Sequence, residues 1–449
     1  MTKLKDLLVP NEKQKPQSEY MNKQDLYAWI DEYFKSKPVE KPTVKNISFD
    51  DAPIENITEE TEMEIPPQPS QYEVPSLDLL TCYPQESTEN ITEEIESKKQ
   101  IIKQTLGDFG ISVTDITATA GATVTLYELV PARGVAIDKI TNKDTEIAIA
   151  LKVEAVRIIA PFKNRGTVAI EVPNESRSIV GIKSLLEGAD FQNCTCELPL
   201  AIGKSIDGRT KIIDLTEMPH ILVAGASGKG KSVGLNAMII SLLYKKRPKE
   251  LQFILFDPKR QELDIYKTLK KQFLVKIPDV QSAVIIDDKD EITTALNWLK
   301  EEMSSRSKLL ADSGYCKTLK EYNAKTSKKL PYIVVMIDEF PDIQQSKEIE
   351  QLLVSLSRKA RAVGIHFIIA TQRPSAKTIT REITSNFTAQ IAFKVSKQVD
   401  SQIILDNSGA EKLIGKGDML FSFNSEIERL QGAFVSTDEV KNVVEFIGK

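Results

Sequence analysis

The pattern of hydrophobic and polar positions changes twice along the chain and divides it into three parts. Residues 1–70 contain few hydrophobic positions and little regular spacing between them. Residues 71–215 contain short runs in which hydrophobic and polar side chains alternate, as in half-buried strands. Residues 216–449 contain nearly continuous hydrophobic runs separated by helix-length segments. The pattern therefore predicts a tail or linker, a small α+β subdomain with its lead-in segment, and a larger α/β domain.

The first part of the chain is acidic and rich in proline. Residues 1–97 carry 9 Lys and Arg against 21 Asp and Glu, and they contain 10 of the 21 prolines but no glycine. Such a composition buries too little apolar surface to offset the entropy cost of ordering, so we expect residues 1–70 to be a disordered acidic tail. Leu26–Phe34 has the spacing of a short amphipathic helix, which is either transient or a docking peptide for another protein.

The middle part shows an α+β pattern. Helices are predicted at Lys98–Phe109 and Lys143–Leu151, and glycine and proline separate the alternating runs. The four predicted strands are Ile111–Thr119, Thr123–Leu129, Val156–Ile159 and Thr167–Glu171. Because catalytic residue types do not cluster here, the composition indicates a scaffold or an interaction module.

The last part alternates short hydrophobic runs with helices. The predicted strands are Ile221–Ala224, Phe253–Phe256, Ile333–Ile337, Phe367–Ala370, Ala389–Val395 and Met419–Phe423. The predicted helices between them include Ser232–Lys245, Ile292–Leu310 and Lys347–Val363. Hydrophobic strands alternating with helices indicate a mainly parallel sheet that is covered on both faces. A short connection separates the last two strands, which are candidates for antiparallel additions.

Charge and composition exclude several classes of protein. The net charge is −5, but residues 98–449 carry 50 Lys and Arg against 43 Asp and Glu, so the larger part is compatible with a nucleic-acid partner without proving one. No run of about 18 apolar residues predicts a membrane span, and the amino terminus lacks the apolar core of a signal peptide. Two histidines are too few for a His-rich zinc site. Four scattered cysteines indicate a reducing cytoplasm, with Cys194 and Cys196 interpreted as ordinary thiols.

The strongest chemical signal follows the first strand of the last part. It matches G-x-x-x-x-G-K-[ST] and consists of Gly225, Ala226, Ser227, Gly228, Lys229, Gly230, Lys231 and Ser232. Glycines let backbone N–H groups wrap phosphate oxygens, and the following helix points its positive end at them. In this pattern Lys231 reaches the β- and γ-phosphates of ATP, and Ser232 ligates Mg²⁺. A glycine-rich turn without a nucleotide is the alternative.

Polar residues also end two other predicted strands. With a phosphate loop upstream, Asp338 is expected to hold Mg²⁺ through water, and Glu339 to polarise the attacking water. An exposed strand end is the alternative for this acid pair. In Ala370–Pro374, Gln372 is the candidate sensor of the γ-phosphate, with Thr371 second. Termination of the strand before proline is the alternative there.

Basic residues end the predicted helix Lys347–Val363. One interpretation is that they complement the negative end of the helix dipole. The other is that one of them is an arginine finger that reaches the nucleotide of a neighbouring subunit. Arg361 is slightly preferred over Arg358 as that finger.

In their order and in much of the intervening sequence, these motifs resemble the FtsK/SpoIIIE family of double-stranded DNA translocases. The matching stretches are Met218–Gly225, Ser232–Met238, Phe256–Lys259 with Glu262-Leu263, Leu330–Phe340, Lys359–His366, Ala370–Pro374, Asp400-Ser401 and Gly415–Leu420. Upstream, Thr123–Glu128, Pro131–Val135, Ala155–Ile158 and Ile170–Asn174 resemble the family's α-subdomain, and Tyr72–Leu80 resembles the short segment before it. The resemblance covers about residues 70–449.

The resemblance implies a RecA-like P-loop NTPase core in residues 216–449 that hydrolyses ATP with Mg²⁺. It also implies a ring, usually a hexamer, with duplex DNA in the central pore. DNA contacts in this family follow the strand that ends at Gln372, so Lys377 and Arg381 are the candidates here. A motor that moves along many sequences should contact phosphates rather than base edges. Solvated surface charge is the alternative for both residues.

The sequence departs from the family in several respects. Typical members carry amino-terminal membrane helices, and many end in a winged-helix domain, but this sequence predicts neither. We therefore expect a cytoplasmic form without an intrinsic membrane span and without intrinsic directionality, such as a plasmid or phage would use. Lys229 stands where serine or glutamine often occurs, which adds charge near the nucleotide.

Two other functions stay open at this point. One is an ATPase of a protein-secretion system, since related P-loop modules move polypeptides. The other is a non-motor NTP-binding adaptor that recruits protein partners through its acidic tail. The complete acid pair favours a DNA-stimulated ATPase over such an adaptor.

Overall fold

The computed structural model describes residues 72–84, 88–162, 166–282, 284–285, 288–344 and 346–449. All of these described residues belong to one compact unit. The predicted disordered tail and the predicted helix at Leu26–Phe34 lie outside the described residues. Within the described ranges, no helix is long and apolar enough to cross a membrane.

Helices and strands alternate through most of the described chain. The strands are β1 (Val113–Ala120), β2 (Val124–Pro131), β3 (Arg157–Phe162), β4 (Thr167–Pro173), β5 (Pro199–Ser205), β6 (Thr210–Asp214), β7 (His220–Ala224), β8 (Leu251–Phe256), β9 (Tyr332–Ile337), β10 (Ile365–Thr371), β11 (Ala389–Phe393), β12 (Asp418–Phe423) and β13 (Glu426–Gly432). The α-helices are α1 (Thr88–Asp108), α2 (Ile137–Thr141), α3 (Asp144–Ala150), α4 (Ile182–Leu186), α5 (Ala189–Gln192), α6 (Lys231–Lys245), α7 (Lys289–Asp312), α8 (Leu319–Lys325), α9 (Phe340–Ile343), α10 (Lys347–Lys359), α11 (Arg381–Asn386), α12 (Gln398–Leu405) and α13 (Thr437–Gly448). The 3₁₀ helices are Leu77–Leu79, Asp264–Lys271, Ala360–Val363 and Ala410–Lys412.

The α+β subdomain is a four-stranded antiparallel sheet with helices packed against it. Its strand order is β1-β2-β4-β3, and α1 contacts both α3 and β1. Buried side chains of α1, β2 and β4, such as Leu106, Tyr127 and Val168, form a single core. The predicted strands and helices are all present. Helix α1 begins at Thr88 rather than at Lys98, because the acidic run before Lys98 belongs to the helix. Glu94 in that run pairs with Lys98 one turn later.

The larger domain is built on a nine-stranded mixed sheet in the order β6-β5-β13-β12-β11-β7-β10-β9-β8. Strands β11, β7, β10, β9 and β8 are parallel neighbours, whereas β12, β13, β5 and β6 follow in antiparallel pairing. Every residue of β7, β8, β9 and β10 is buried, as in a sheet covered on both faces. The predicted parallel sheet is therefore confirmed. Of the two candidates for antiparallel additions, β12 is antiparallel but β11 is parallel to β7.

This sheet also takes strands from chain that precedes the predicted domain boundary at residue 216. Strand β5 pairs with β13, where Leu430 lies opposite Ser205, and β6 pairs with β5. Helix α6 packs against β5, and the two share one hydrophobic core with the parallel strands. The division of the chain at residues 70 and 215 stays a prediction.

A buried ionic cluster joins the two sheets. The Arg429 guanidinium of β13 donates to both Asp418 carboxylate oxygens at 2.9 and 2.7 Å, and to Glu171 Oε2 of β4 at 2.8 Å. Arg157 of β3 donates to both Glu171 oxygens at 3.2 Å. Burial acts to lower the pKa of Arg429, but the charges of Asp418 and Glu171 outweigh it and raise the pKa above its ordinary value. The cluster therefore keeps its charges paired away from water.

The lead-in segment packs on the larger domain rather than on the α+β subdomain. The Thr81 N–H donates to Glu439 Oε1 of α13 at 2.7 Å, and the Tyr83 hydroxyl donates to Glu439 Oε2 at 3.1 Å. The Tyr83 ring meets Phe434 edge-on with centroids 5.4 Å apart. Gly181 also lies here, since an added Cβ would be 2.6 Å from the Tyr83 ring and the residue bridges to Phe434.

Two buried histidines lie at the amino ends of β7 and β10. His220 Nδ1 accepts from the Phe367 N–H at 3.1 Å, so its Nε2 donates to the Ser357 carbonyl at 2.8 Å. His366 Nδ1 donates to the Pro219 carbonyl at 3.1 Å. Burial lowers the pKa of His220 to about 3 and the pKa of His366 to about 4. Both side chains are therefore neutral structural groups at physiological pH.

Cys194 and Cys196 form a disulfide in the turn after α5. Their Cα atoms are 5.4 Å apart, within the range that a disulfide spans. The interpretation of these residues as ordinary thiols is therefore wrong. Cys82 and Cys316 are unpaired.

Candidate active site

The glycine-rich loop lies at the carboxyl end of β7, which lies between β11 and β10 in the parallel part of the sheet. Strand β7 ends at Ala224, and α6 begins at Lys231, so residues 225–230 form the turn between them. Gly230 has φ +122°, and a Cβ there would lie 2.7 Å from the Gly417 nitrogen. Only glycine fits such a position without strain. The loop therefore places the positive end of a 15-residue helix at the carboxyl edge of the sheet.

The loop backbone is fastened to the neighbouring strands. The Gly225 N–H donates to the Thr371 carbonyl at 3.2 Å, and the Ala226 N–H donates to the Lys394 carbonyl at 3.0 Å. The Lys229 carbonyl accepts from the Gly417 N–H at 3.1 Å. These bonds fix the loop against the ends of β10 and β11 and the turn before β12.

Lys231 faces the acid pair at the end of β9. Its Nζ donates to Asp338 Oδ1 and to the Asp338 carbonyl, both at 2.7 Å, and lies 3.9 Å from Glu339 Oε2. Lys231, Asp338 and Glu339 are only 3%, 1% and 4% exposed. The exposed strand end considered as an alternative is therefore wrong, because the two carboxylates are buried and paired with a lysine.

Glu339 is held on several sides. The Thr371 hydroxyl donates to its Oε1 at 2.9 Å, and the Gln372 N–H lies 3.1 Å from each of its oxygens. Lys259 Nζ lies 3.7 Å from Glu339 Oε2 and 3.2 Å from Asp342. Burial acts to lower the pKa of Lys259, but the hydrogen bond with Asp342 and the charge of Glu339 raise it above its ordinary value. The β9 carboxylate is thus tied directly to the end of β10.

Ser232 contacts a third carboxylate. Its hydroxyl donates to Glu262 Oε1, in the loop that follows β8. Asp257, at the end of β8, accepts from the backbone N–H groups of Glu262 and Leu263 at 3.0 and 2.8 Å. Within the described ranges, no group of three or more His, Cys, Asp or Glu side chains is arranged to hold a metal by itself. A cation at Ser232 would therefore take most of its ligands from phosphate and water.

A cavity of about 540 Å³ opens above the glycine-rich loop. It is lined by loop residues together with Lys231, Ser232, Glu262 and Gln372. Its wall also contains the apolar residues Ile179, Val180, Ile414 and Phe434. Polar groups that suit phosphates and apolar residues that suit a base are both needed to hold a nucleotide.

The structure brings most of the predicted site residues together but leaves four of them outside. Lys231, Ser232, Asp338, Glu339 and Gln372 meet at the carboxyl edge of the sheet. The four outside residues are all exposed: Arg358, Arg361, Lys377 and Arg381.

The four outlying residues differ in their surroundings. Arg361 lies just before the amino end of β10, roughly 20 Å from Thr371 at about 3.3 Å per strand residue. It therefore lies at the opposite edge of the sheet from the cavity of its own chain. Arg358 is 4.0 Å from Glu382. Lys377 and Arg381 follow β10 and have no acidic partner within 4.0 Å among the described residues.

Sequence reasoning missed several groups at this site. Lys259 and Glu262 were noted only as part of a matching stretch, although charged residues directly after a hydrophobic strand were the signal that identified the acid pair. The apolar residues of the cavity wall left no local pattern in the sequence. Ile179 and Phe434, for example, are 255 residues apart in the chain and line one cavity only in the fold.

Comparison with known proteins identifies both parts of the chain. Residues 181–376 match the FtsK/SpoIIIE family, and residues 74–174 match the FtsK alpha domain. The chain is 39% identical over 402 residues to the DNA translocase FtsK of Haemophilus influenzae, with 83% of this chain and 74% of that protein covered. It is 41% identical over 385 residues to the DNA translocase SftA of Bacillus subtilis, with 84% of this chain but only 39% of that protein covered.

Solved structures share the fold. The TcpA conjugation coupling protein of pCW3, determined with ATPγS, has a TM-score of 0.52 at 23% identity and covers 78% of this chain and 99% of that one. The cytoplasmic domain of the Thermomonospora curvata type VII secretion ATPase EccC has a TM-score of 0.51 at 22% identity and covers 60% of this chain and 34% of that one. The predicted RecA-like P-loop core with a preceding α+β subdomain is confirmed. With its sequence identity to curated relatives over most of its length, the chain belongs to the FtsK/SpoIIIE family.

Proposed function

We propose that this chain hydrolyses ATP and uses the reaction to translocate double-stranded DNA. Its curated relatives are DNA translocases, and it carries both the alpha domain and the P-loop domain of that family. Because the chain spans less than half of some of these relatives, such as 39% of the Bacillus protein, its DNA substrate is inferred rather than read from them.

One observation carries the catalytic part of the proposal. Glu339 is buried beside Lys231, and its carboxylate accepts from the backbone N–H of Gln372, a residue that lines the cavity. A carboxylate in this position can orient and polarise a water molecule for attack on a γ-phosphate. Because Gln372 both binds Glu339 and lines the cavity, it connects this carboxylate with a nucleotide bound there.

The remaining groups of the site have complementary roles. Lys231 would bind the β- and γ-phosphates, and residues 225–230 would bind them through backbone N–H groups. Ser232, and Asp338 through water, would hold Mg²⁺, since hydroxyl and carboxylate oxygens are the ligands that this cation prefers. When bound, Mg²⁺ would offset negative charge on the phosphates. The apolar residues of the cavity wall, such as Ile179 and Phe434, would hold the base of the nucleotide.

We further propose a ring, a hexamer by family resemblance, with DNA in its pore. In a ring, Arg361 of one subunit would face the nucleotide of the next subunit. Arg361 is too far from the cavity of its own chain to act there. Lys377 and Arg381 would contact DNA phosphates from the segment after β10. The acidic tail would bind a protein partner.

The test is steady-state ATP hydrolysis with and without long linear duplex DNA. We expect the DNA to raise hydrolysis by about tenfold or more, which corresponds to an activation free energy lower by at least about 1.4 kcal/mol. Lys231→Ala provides the blank, and Glu339→Gln should lower the rate by about 100-fold or more while nucleotide binding is kept. Glu348→Gln, on the exposed face of α10, is the matched control.

Three results would overturn parts of this proposal. Hydrolysis that duplex DNA leaves unchanged, with a protein client that co-purifies, would favour the secretion ATPase instead. Nucleotide binding without turnover by the unaltered chain would favour the non-motor adaptor. Equal rates for Glu339→Gln and the unaltered chain would show that another group polarises the water.

A further inference from the structure

The contact between Ser232 and Glu262 is not explained by the roles given above. The Ser232 hydroxyl begins the phosphate-binding helix, and Glu262 comes from the loop after β8, at the far edge of the parallel strands. Both side chains line the same cavity. Fully buried Asp257 holds the loop that carries Glu262, because its carboxylate accepts hydrogen bonds from the backbone N–H groups of Glu262 and Leu263. Glu262 is therefore placed by the fold and is not a surface side chain that happens to reach Ser232.

The direction of this hydrogen bond matters for a cation. A serine hydroxyl has one hydrogen to donate and two lone pairs to offer. In this structure the hydrogen goes to Glu262, so the lone pairs of Ser232 stay free. Asp338 instead accepts from Lys231, whose Nζ donates to its Oδ1 and to its carbonyl.

We propose that Glu262 is a positioning residue for Mg²⁺ at the nucleotide site. Glu262 accepts a hydrogen bond from the Ser232 hydroxyl, which orients the lone pairs of the serine oxygen toward the cation. The charge of Glu262 also attracts the cation without direct coordination. Groups that orient a metal ligand in this way commonly change metal affinity by about 10–100-fold when they are removed. The inference rests on the proposed function, since it concerns the Mg²⁺ that accompanies ATP.

The test separates Mg²⁺ binding from nucleotide binding and does not depend on turnover. The full chain is titrated with a fluorescent, non-hydrolysable ATP analogue, first in EDTA and then at fixed analogue with increasing Mg²⁺. For Glu262→Gln we expect the Mg²⁺ concentration at half-saturation to rise by about tenfold, with the affinity in EDTA unchanged. Glutamine keeps the size of the side chain and one acceptor oxygen for the Ser232 hydroxyl, so the change reports the loss of the charge.

Control variants keep the outcomes apart. Glu348→Gln removes an exposed carboxylate of α10 and should leave both titrations unchanged. Ser232→Ala should raise the Mg²⁺ midpoint at least as much as Glu262→Gln, and the double variant should add little to it, because both act through one oxygen.

Each outcome bears on a different claim. A Mg²⁺ midpoint for Glu262→Gln equal to that of the unaltered chain would overturn the inference. So would a lower midpoint, which would mean that Glu262 competes with the cation for Ser232. Failure of the unaltered chain to bind the analogue at any Mg²⁺ concentration would instead overturn the proposed function.

Discussion

The buried ionic cluster between the two sheets gives the most quantitative prediction. Replacing Arg429 by methionine keeps much of the length of the side chain but removes every hydrogen-bond donor. Asp418 would lose two bonds and Glu171 one, and both carboxylates are at most 3% exposed as side chains. Removing one partner from a buried ion pair costs about 3–5 kcal/mol, because a charge stays buried without compensation. That is a large part of the roughly 5–15 kcal/mol that stabilises a typical domain.

The assay is urea unfolding followed by circular dichroism at pH 7.5. Asp144→Asn is the matched control, because it breaks the 2.6 Å pair with Lys412 between the same two parts of the chain. That pair is 30–36% exposed, so we expect a loss of at most about 1 kcal/mol. The difference between the two variants measures what burial adds to an ion pair at this interface.

The result that would refute this reasoning is a loss below about 1 kcal/mol for Arg429→Met. It would mean that Asp418 and Glu171 take up protons or water on losing Arg429 and that the cluster is not closed to solvent.

Three further predictions follow from other contacts. Both buried histidines have lowered pKa values in the folded chain, whereas in the unfolded chain they take up protons near pH 6.5. Their contribution to the free energy of unfolding should therefore be fully present above pH 6.5 and be lost as the pH drops toward 4. Between pH 6 and pH 5 the loss should be on the order of 2 kcal/mol by urea unfolding, and about half as much in His366→Asn. Gly234→Ala should cost about 1–3 kcal/mol, since the added Cβ would lie 2.6 Å from a phenylalanine ring, whereas Gly107→Ala meets nothing within 4 Å. Arg361→Ala should abolish hydrolysis without weakening nucleotide binding, and mixing it with Lys231→Ala should restore part of the rate.

Specific results would contradict each of these three. An unchanged pH slope in His366→Asn would show that the histidine titrates normally in the folded chain. Equal stabilities for Gly234→Ala and Gly107→Ala would show that the Phe393 ring beside Gly234 has room to move. Mixed subunits without activity would argue against a finger supplied in trans.

The sequence predicted the parallel core well and the antiparallel extension poorly. Strands such as β9 and β10 are buried on both faces, so their hydrophobic runs are continuous and easy to recognise. β5, β6 and β13 instead gain their place in the sheet from pairing between distant parts of the chain, as where Leu430 lies opposite Ser205. Long-range pairing of this kind leaves no local pattern.

The same contrast holds for the site. Lys231, Asp338 and Gln372 each follow a strand of one parallel sheet, so their meeting at one edge could be expected before the structure. Glu262 was harder to identify because its role depends on a hydrogen bond to Ser232 that spacing does not reveal. The outlying arginines are recognisable in the sequence as basic residues at the end of a helix. Only the direction of β10 shows that Arg361 lies at the opposite edge of the sheet from the cavity of its own chain.

The contact of Tyr83, Gly181 and Phe434 changes how the α+β subdomain should be regarded. The chain leaves the larger domain near Tyr83 and returns to it near Gly181, and these two residues touch each other. The chain therefore enters and leaves the α+β subdomain at neighbouring points, while the ionic cluster around Arg429 holds the subdomain at another place. A short peptide could join the chain near Tyr83 directly to the chain near Gly181, which would yield a continuous P-loop domain without the subdomain.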